Sequence, residues 1–450
     1  MAKVFVAMYN FARHSADYTV MPPFYETFIN GLKDAGNEVL CYFHKDFYKD
    51  FSGEMPDYIA NRVKAFDADL YIFFNNNFWD ITELTDKPIL IYDVDSPLFY
   101  KNLDKVKSKP DRFRYMTIQK NSVDMLKELV GITGDIARYA PPFTGIMADK
   151  SVEADTNISF IGSNWTWEGC QFVQKFLDSG STTNEDRIMA RQVFEEYTRN
   201  PFSSSEEIYQ QLGLEPEHKI VFRNDMNTAS RISGIKRISY LETISDLGLE
   251  IHGLYFSQPN TAFFPGVAFS FNKDTVFTRQ ENQDIFNRSK ISFNINHIQA
   301  VTGFSWRVCD IMASNAAIVT EYKPDLAEAF PGVKLPTFTT KAEAYETCKR
   351  LLENENERKE IVLASNEIIE KKYRFNNTLK EMESFLGVKM TEKKEGSLEF
   401  IYEPRIMKND VDPVLKTESK TKHIFIGYRA IRKCHHLMGK FMDKVGVPHE

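Results

Sequence analysis

Short apolar runs bounded by glycine, proline and polar residues alternate along this chain with longer stretches whose apolar positions recur at helical spacing. Lys3–Met8, Glu38–Phe43, Asp69–Phe74, Pro88–Tyr92, Tyr115–Ile118 and Ala137–Tyr139 read as strands. Helical patterns fall between them at Phe24–Ala35, which Gly36 stops, at Ile59–Phe66 and at Ser122–Val130. Strands alternating with helices predict a parallel, doubly wound sheet, whose ligands gather at the C-terminal strand ends. The residues expected there are His14, Asp17, Asn75 to Asn77, Asp93 and Asp95.

The pattern restarts near Thr156. Asn157–Ile161 is a strand that runs into Gly162-Ser163-Asn164-Trp165, and an insertion over about 166–229 reads as helices, among them Gln171–Leu177, Arg187–Tyr197 and Ser205–Leu212. A helix from Ser230 to Leu247 precedes the strand Leu249–Gly253, which carries His252. Ile291, Phe293 and Ile295 then alternate with polar residues at strand period. Thr302–Ser305 forms a tight loop, Trp306–Ser314 a helix, and Ala316–Val319 an apolar run suited to a buried parallel strand. Further helices cover Lys341–Glu353, Glu355–Ala364 and Ser365–Tyr373.

The unit Ser289–Glu321 carries the most chemistry. A loop opening a helix presents unpaired N–H groups at a positive dipole end, where phosphate binds readily. Arg307, in the first turn, adds a permanently charged planar fork, and Asp310 one turn on can accept ribose hydroxyls. Together they suggest a nucleotide-linked ligand; an ordinary βαβ unit with Arg307 and Asp310 paired at i, i+3 is the plain alternative. Arg231, Lys236 and Arg237 lie near the start of another helix, where bases oppose the dipole, so a diphosphate contact and simple solvation both stand. The carboxylates of Asp93-Val94-Asp95 can share a hard cation, or Asp95 can close a strand-end turn before Pro97. His14 is a general base, a sugar contact or a plain loop residue.

With 450 residues the chain is long enough for two or three domains. Its 42% hydrophobic and 26% charged content is that of a soluble globular protein, and a net charge of −7 argues against nucleic acid as the main partner. Cys41, Cys170, Cys309, Cys348 and Cys434 lie far apart without metal-type spacing, which fits a reducing cytosol. No apolar run approaches the roughly 18 residues of a membrane span, and the first residues read as a strand rather than a signal peptide. The segment 423–445 is a basic amphipathic helix, suited to an anionic membrane surface or to docking on protein.

Ser289-Lys290-Ile291, Asn294, Gly303, Arg307, Asp310, Ala313 and Val319-Thr320 resemble the nucleotide-sugar half of GT-B glycosyltransferases, most of all the spore-maturation-protein-like branch. Lys323–Phe330 is similar to the element that follows in that branch. The resemblance covers 230–386 well and 1–163 loosely. The wider pattern has two glutamates, at the positions of Thr302 and Asp310; Thr302 departs from it and leaves open how the donor sugar is held.

The resemblance implies an α/β protein with two Rossmann-like parallel-sheet domains facing a cleft. Residues 1–150 would form the acceptor side, 151–386 the nucleotide-sugar side with its helical insertion, and 387–450 a charged tail with the amphipathic helix. It implies transfer of a sugar from a nucleotide-activated donor to a glycan or lipid-linked acceptor, in bacterial surface polysaccharide (lipopolysaccharide or capsule) synthesis, with no required metal or cofactor. The donor-binding residues it implies are Gly162, Arg231, Lys236, Arg237, His252, Asn294, Thr302, Gly303, Phe304, Ser305, Arg307 and Asp310. Asp95, His14 or Asp17 would orient or deprotonate the acceptor hydroxyl. The expected location is the cytoplasm, at the inner face of the membrane if the tail binds there. The competing readings are a non-catalytic structural or glycan-binding protein that keeps the fold, a nucleotide-sugar epimerase, and a GT-A-type metal enzyme using Asp93 and Asp95. The sugar, nucleotide base, acceptor, stereochemistry and oligomeric state stay open.

Overall fold

The computed structural model describes residues 2–9, 21–44, 57–76, 83, 85–100, 103–164, 183–199, 205–214, 226–254, 256, 264–272, 276–392 and 394–402. His14, Asp17, the stretch Gln171–Leu177 and the basic segment 423–445 lie outside them.

The first half forms β1 (Lys3–Tyr9), α1 (Pro23–Asp34), β2 (Glu38–His44), α2 (Asp57–Phe66), β3 (Leu70–Phe74), β4 (Ile89–Asp93), α3 (Leu103–Ser108), β5 (Phe113–Thr117), α4 (Lys120–Val130) and β6 (Ala137–Tyr139). The second begins with β7 (Thr156–Ser163), the insertion helices α5 (Asn184–Arg199) and α6 (Ser205–Gln211), α7 (Met226–Thr243) and β8 (Leu249–Leu254). It continues through α8 (Pro265–Ser270), α9 (Arg279–Asn287), β9 (Ser289–Asn294), α10 (Arg307–Met312), β10 (Ala317–Glu321), α11 (Asp325–Ala329) and β11 (Thr337–Phe338). Helices α12 (Lys341–Glu353), α13 (Glu355–Lys372) and α14 (Phe375–Leu386) and strand β12 (Ser397–Tyr402) complete it.

Two parallel sheets result, one ordered β12-β2-β1-β3-β4-β5-β6 and the other β11-β10-β9-β7-β8. The alternating apolar residues of β1 explain why the first sheet is covered on both faces. Val4, Val6 and Met8 enter one core with α1 and α14, while Phe5 and Ala7 enter the other with Ile59 and Val63 of α2. In the second sheet Ile291, Phe293 and the run Ala316–Val319 share one core, as their periodicity predicts.

The chain returns to its first half twice. Phe375, at the start of α14, lies against bare Gly31 of α1 and meets Phe28 edge-on at 5.2 Å. Residues 397–402 then add β12 to the edge of the first sheet, parallel to β2 from Ser397 opposite Glu38 to Tyr402 opposite Phe43. At the C-terminal end of the second sheet, Gly162 and Gly253 face each other across β7 and β8. A Cβ on Gly253 would meet the Gly162 carbonyl oxygen at 1.7 Å, so only glycine permits this approach.

The insertion has a small core of its own. Met189, Val193, Ile208 and Tyr209 close around Ile232 of α7 and touch Ile298 in the loop after β9. Among the described residues no helix is long and apolar enough to cross a membrane.

Phe375 fills the space left by Gly31 and contacts Phe143 as well as Phe28. Phe375→Ala should therefore lower unfolding free energy by about 3–5 kcal/mol, read from the urea midpoint at unchanged slope.

Candidate functional site

The C-terminal ends of both sheets converge where the loop after β9 and the start of α10 meet the first half of the chain. This loop, 295–306, is threaded between the two halves by side chains rather than by glycine flexibility. Ile295 and Phe304 are buried in the second core, and Phe304 packs on Phe330. Trp306 stacks on Phe24 of α1 at 5.2 Å between ring centroids. The Val301 N–H donates to Gln119 Oε1 (3.2 Å), and a Cβ on Gly303 would collide with the Gln119 side chain. The Thr302 hydroxyl lies 3.0 Å from Asn121 Oδ1 and 3.2 Å from Asp325 Oδ2. Thr302 thus ties the two halves together at the position where the wider pattern has an acid.

Beneath this loop sits a buried charge cluster. Glu321, the last residue of β10, accepts from Lys236 Nζ at 2.8 Å and pairs with Lys323 at 3.3 Å, while its other oxygen accepts the Asn296 N–H at 3.0 Å. Burial pushes this carboxyl up, but Lys236, Lys323 and the N–H outweigh it and hold Glu321 ionised. Lys236 is pulled down to about 8 by burial, with Glu321 opposing, so it stays protonated at neutral pH.

Arg237, the next residue, donates through Nη1 to the Ser163 carbonyl (2.7 Å), and its Nε is buried with no partner. Burial and the neighbouring Arg307 lower its pKa to about 9. Arg307 is half-buried, and desolvation lowers its pKa against the pull of Asp310. Asn296 is fully buried. Its Oδ1 accepts the Ser305 N–H at 2.9 Å, which leaves its amide Nδ2 as a second unpaired donor. Asn294 donates to Thr320 Oγ1 and accepts from Ser305 Oγ. An unpaired buried N–H costs about 1–3 kcal/mol, and two guanidinium groups side by side repel. A polyanion relieves both.

Of the other residues singled out in the sequence, Gly162 lies at the close approach to Gly253, and His252 is fully buried in β8 with Nε2 at 3.4 Å from Glu250. Arg231 lies on α7, five and six residues before Lys236 and Arg237; because α7 begins at Met226, Lys236 and Arg237 stand in its interior rather than at the helix start that the sequence suggested. Asp310 is buried, and its Oδ1 accepts the Thr144 hydroxyl at 2.6 Å, so its carboxyl engages the linker between the sheets in this state. Burial raises its pKa to about 7, against the Thr144 bond and the charges of Arg307 and Arg374.

In the first half of the chain, Asp95 follows β4 and is half-buried. Oδ2 accepts from Asn75 Nδ2 at 2.9 Å and Oδ1 from Gln299 Nε2 at 2.7 Å. Asn75 also accepts the N–H groups of Val94 and Asp95, and holds a left-handed conformation (φ +56) to do so. Burial raises the Asp95 pKa, and the two amide bonds oppose the rise. Asp93 is fully buried and takes the Tyr100 hydroxyl at 2.6 Å, so the two acids do not present a joint face to a cation. Among the described residues no group of three or more His, Cys, Asp or Glu side chains stands together as a metal site.

Asn296, His297, Gln299, Glu321 and Lys323 were not singled out by the sequence reading. All follow or end β9 and β10, so the strand-end rule that selected Asp95 applied to them too.

Residues 240–384 match the family model described as glycosyl transferase-like. No curated protein matches the chain in sequence. Several solved structures are similar at low identity. Sucrose-phosphate synthase from Thermosynechococcus elongatus is 9% identical, with 85% of this chain and 98% of that one covered and a TM-score of 0.49. WaaG, a glycosyltransferase involved in lipopolysaccharide biosynthesis, is 9% identical over 86% of this chain and 100% of that one, with a TM-score of 0.46. T4 phage β-glucosyltransferase in complex with UDP and Mn2+ is 13% identical over 86% and 100%, also with a TM-score of 0.46. At such low scores the architecture rests on the strand order itself.

Two outcomes follow from the cluster. Glu321→Gln leaves Lys236 and Lys323 buried without a counter-charge, and should cost about 3–5 kcal/mol in chemical denaturation. Asp310 binds its proton more tightly folded, at about 7, than unfolded, near 3.8. Between those values the native state holds more protons, so this group's contribution to stability falls as pH rises from about 4 to about 7. Asp310→Asn should remove that component from the melting temperature measured against pH.

Proposed function

We propose that the glycosyl transferase-like segment 240–384 works with the first sheet as a GT-B-type glycosyltransferase, moving a sugar from a nucleoside-diphosphate donor to an acceptor hydroxyl. The observation that carries this reading is the pair of buried, unpartnered donors, Arg237 Nε and Asn296 Nδ2, beside the mutually repelling Arg237 and Arg307. A diphosphate supplies the acceptor oxygens and the negative charge that this arrangement calls for.

The chemistry follows from electrostatics. As the bond from the anomeric carbon to the diphosphate oxygen breaks, charge grows on the leaving diphosphate. Fixed cations in a water-poor site stabilise that charge without reorganising. Arg237 and Arg307 supply it directly. Lys236 is neutralised by Glu321 and braces the floor. With this much fixed positive charge the reaction needs no divalent ion. Asp95, held by Asn75 and raised by burial, faces the donor loop from the first sheet and takes the acceptor hydroxyl's proton.

The acceptor is a glycan or lipid-linked glycan of a bacterial surface polysaccharide. This part of the proposal rests on the resemblance of residues 289–330 to the spore-maturation-protein-like branch. The segment 423–445 would bring the enzyme to the inner membrane face, which vesicle flotation tests.

Thermal melting with UDP, GDP, CDP, CMP and dTDP, each with and without chelator, tests the donor site. A diphosphate at a hundred times its Kd should add about 2.7 kcal/mol of stability with chelator present. No shift with any of the five removes the proposal, and a shift that chelator abolishes removes its metal-free part. Arg307→Ala and Arg237→Ala should each lower turnover by roughly a hundredfold or more while the fold persists. Full turnover in both variants excludes the assigned roles.

A further inference from the structure

Gln299 stands apart from the rest of the cleft chemistry. It belongs to the donor-side loop, yet its amide nitrogen reaches across to Oδ1 of Asp95 on the first sheet at 2.7 Å. That contact fixes the amide's orientation, because a carboxylate only accepts. Oε1 must then point away, and it is buried without a partner. The backbone N–H of Gln299 lies 3.4 Å from Nδ1 of His297, and Ile298 between them is pinned by the insertion core. Gln299 is thus held on both flanks, with one hand on the carboxylate and the other an unsatisfied acceptor. With Asn75 on Oδ2, both oxygens of Asp95 are occupied when the cleft is closed.

We propose that Gln299 is a positioning residue that decides between acceptor and water: it caps Asp95 in the closed cleft until an acceptor hydroxyl, donating to its free Oε1, draws the amide aside. The inference rests on the glycosyltransferase reading above. Without the cap, Asp95 can activate water. Hydrolysis then breaks the bond from the anomeric carbon to the diphosphate oxygen and forms one to the water oxygen. The bonding pair leaves with the diphosphate, and the water's proton passes to Asp95. A sugar carries several hydroxyls on separate carbons, so one can donate to Gln299 Oε1 and hold the amide aside while a second, independently placed, approaches Asp95; a water must make both contacts from a single oxygen.

Among the described residues, the other ionisable groups facing Asp95 are Asp93 at the end of β4 and Tyr25 of α1. Neither changes when Gln299 is replaced, so the pH response of the variant reports on the cap. Losing an N–H donor to the carboxylate removes a bond that favours its charged form. The Asp95 pKa must then rise, and the acid limb of the pH–rate profile must move to higher pH.

The test uses the full chain with UDP-glucose, UDP-galactose, UDP-N-acetylglucosamine and GDP-mannose and no acceptor, following release of the nucleoside diphosphate. Gln299→Ala should release it roughly tenfold faster than the wild type, with the acid limb displaced upward. Adding Asp95→Asn should bring release back to the wild-type rate or below. Gln299→Leu, which keeps the volume, serves if the alanine variant melts early and should behave in the same way. Release at or below the wild-type rate, or an unmoved acid limb, overturns the cap. Thermal shift by UDP and GDP runs alongside. A shift kept in every variant leaves the donor site standing whatever Gln299 does, whereas no shift in any, the wild type included, removes the reading on which the cap rests.

Discussion

A single buried carboxylate organises the second half of this protein. Glu321 gathers Lys236 from α7, Lys323 from the turn after β10 and the backbone N–H of Asn296 from the loop after β9. Three separate segments are brought to one point, and each then presents something else to the cleft. Lys236 places Arg237 beside Ser163, and Asn296 holds the Ser305 N–H that begins α10. Burying two cations with one anion costs desolvation, which only good geometry and full hydrogen bonding repay. The excess positive charge that this leaves near Arg237 and Arg307 is the feature a diphosphate would use.

The second organising constraint is mechanical. The loop 295–306 is not a free flap, since Trp306 stacks on Phe24, Gly303 abuts Gln119 and Thr302 bonds across to Asn121. The chain also stitches the halves together from behind, with Phe375 on Gly31 and β12 beside β2. In the described arrangement Asp310 is turned to Thr144 and Asp95 to Gln299. Parting these polar pairs would exchange them for water at small cost, whereas parting the Trp306–Phe24 stack would cost apolar contact.

The insertion gains a role from the same geometry. Its small core closes on Ile232 of α7 and on Ile298 of the loop 295–306, each within a few residues of the charge cluster. It is packed onto the site's own elements, so its sequence can tune how the basic helix and the His297–Gln299 strip are held.

The sequence by itself determined the periodic features. Alternation in Ile291, Phe293 and Ile295, the apolar run Ala316–Val319 and the repeated strand–helix pattern sufficed for two parallel sheets, because side-chain period follows directly from backbone geometry. The position of Arg307 was legible too, since a loop that opens a helix after a strand marks a seat for phosphate, whereas Lys236 and Arg237 were picked out as a helix start and instead lie in the interior of α7, where only burial gives them their chemistry. Only the tertiary structure decided which distant groups meet. Glu321 and Lys236 are 85 residues apart, Gln299 and Asp95 204, Asp310 and Thr144 166. No local pattern encodes such pairs. Burial sets their chemistry, by removing the water that would otherwise satisfy Arg237, Asn296 and Gln299, and burial is a property of the folded whole.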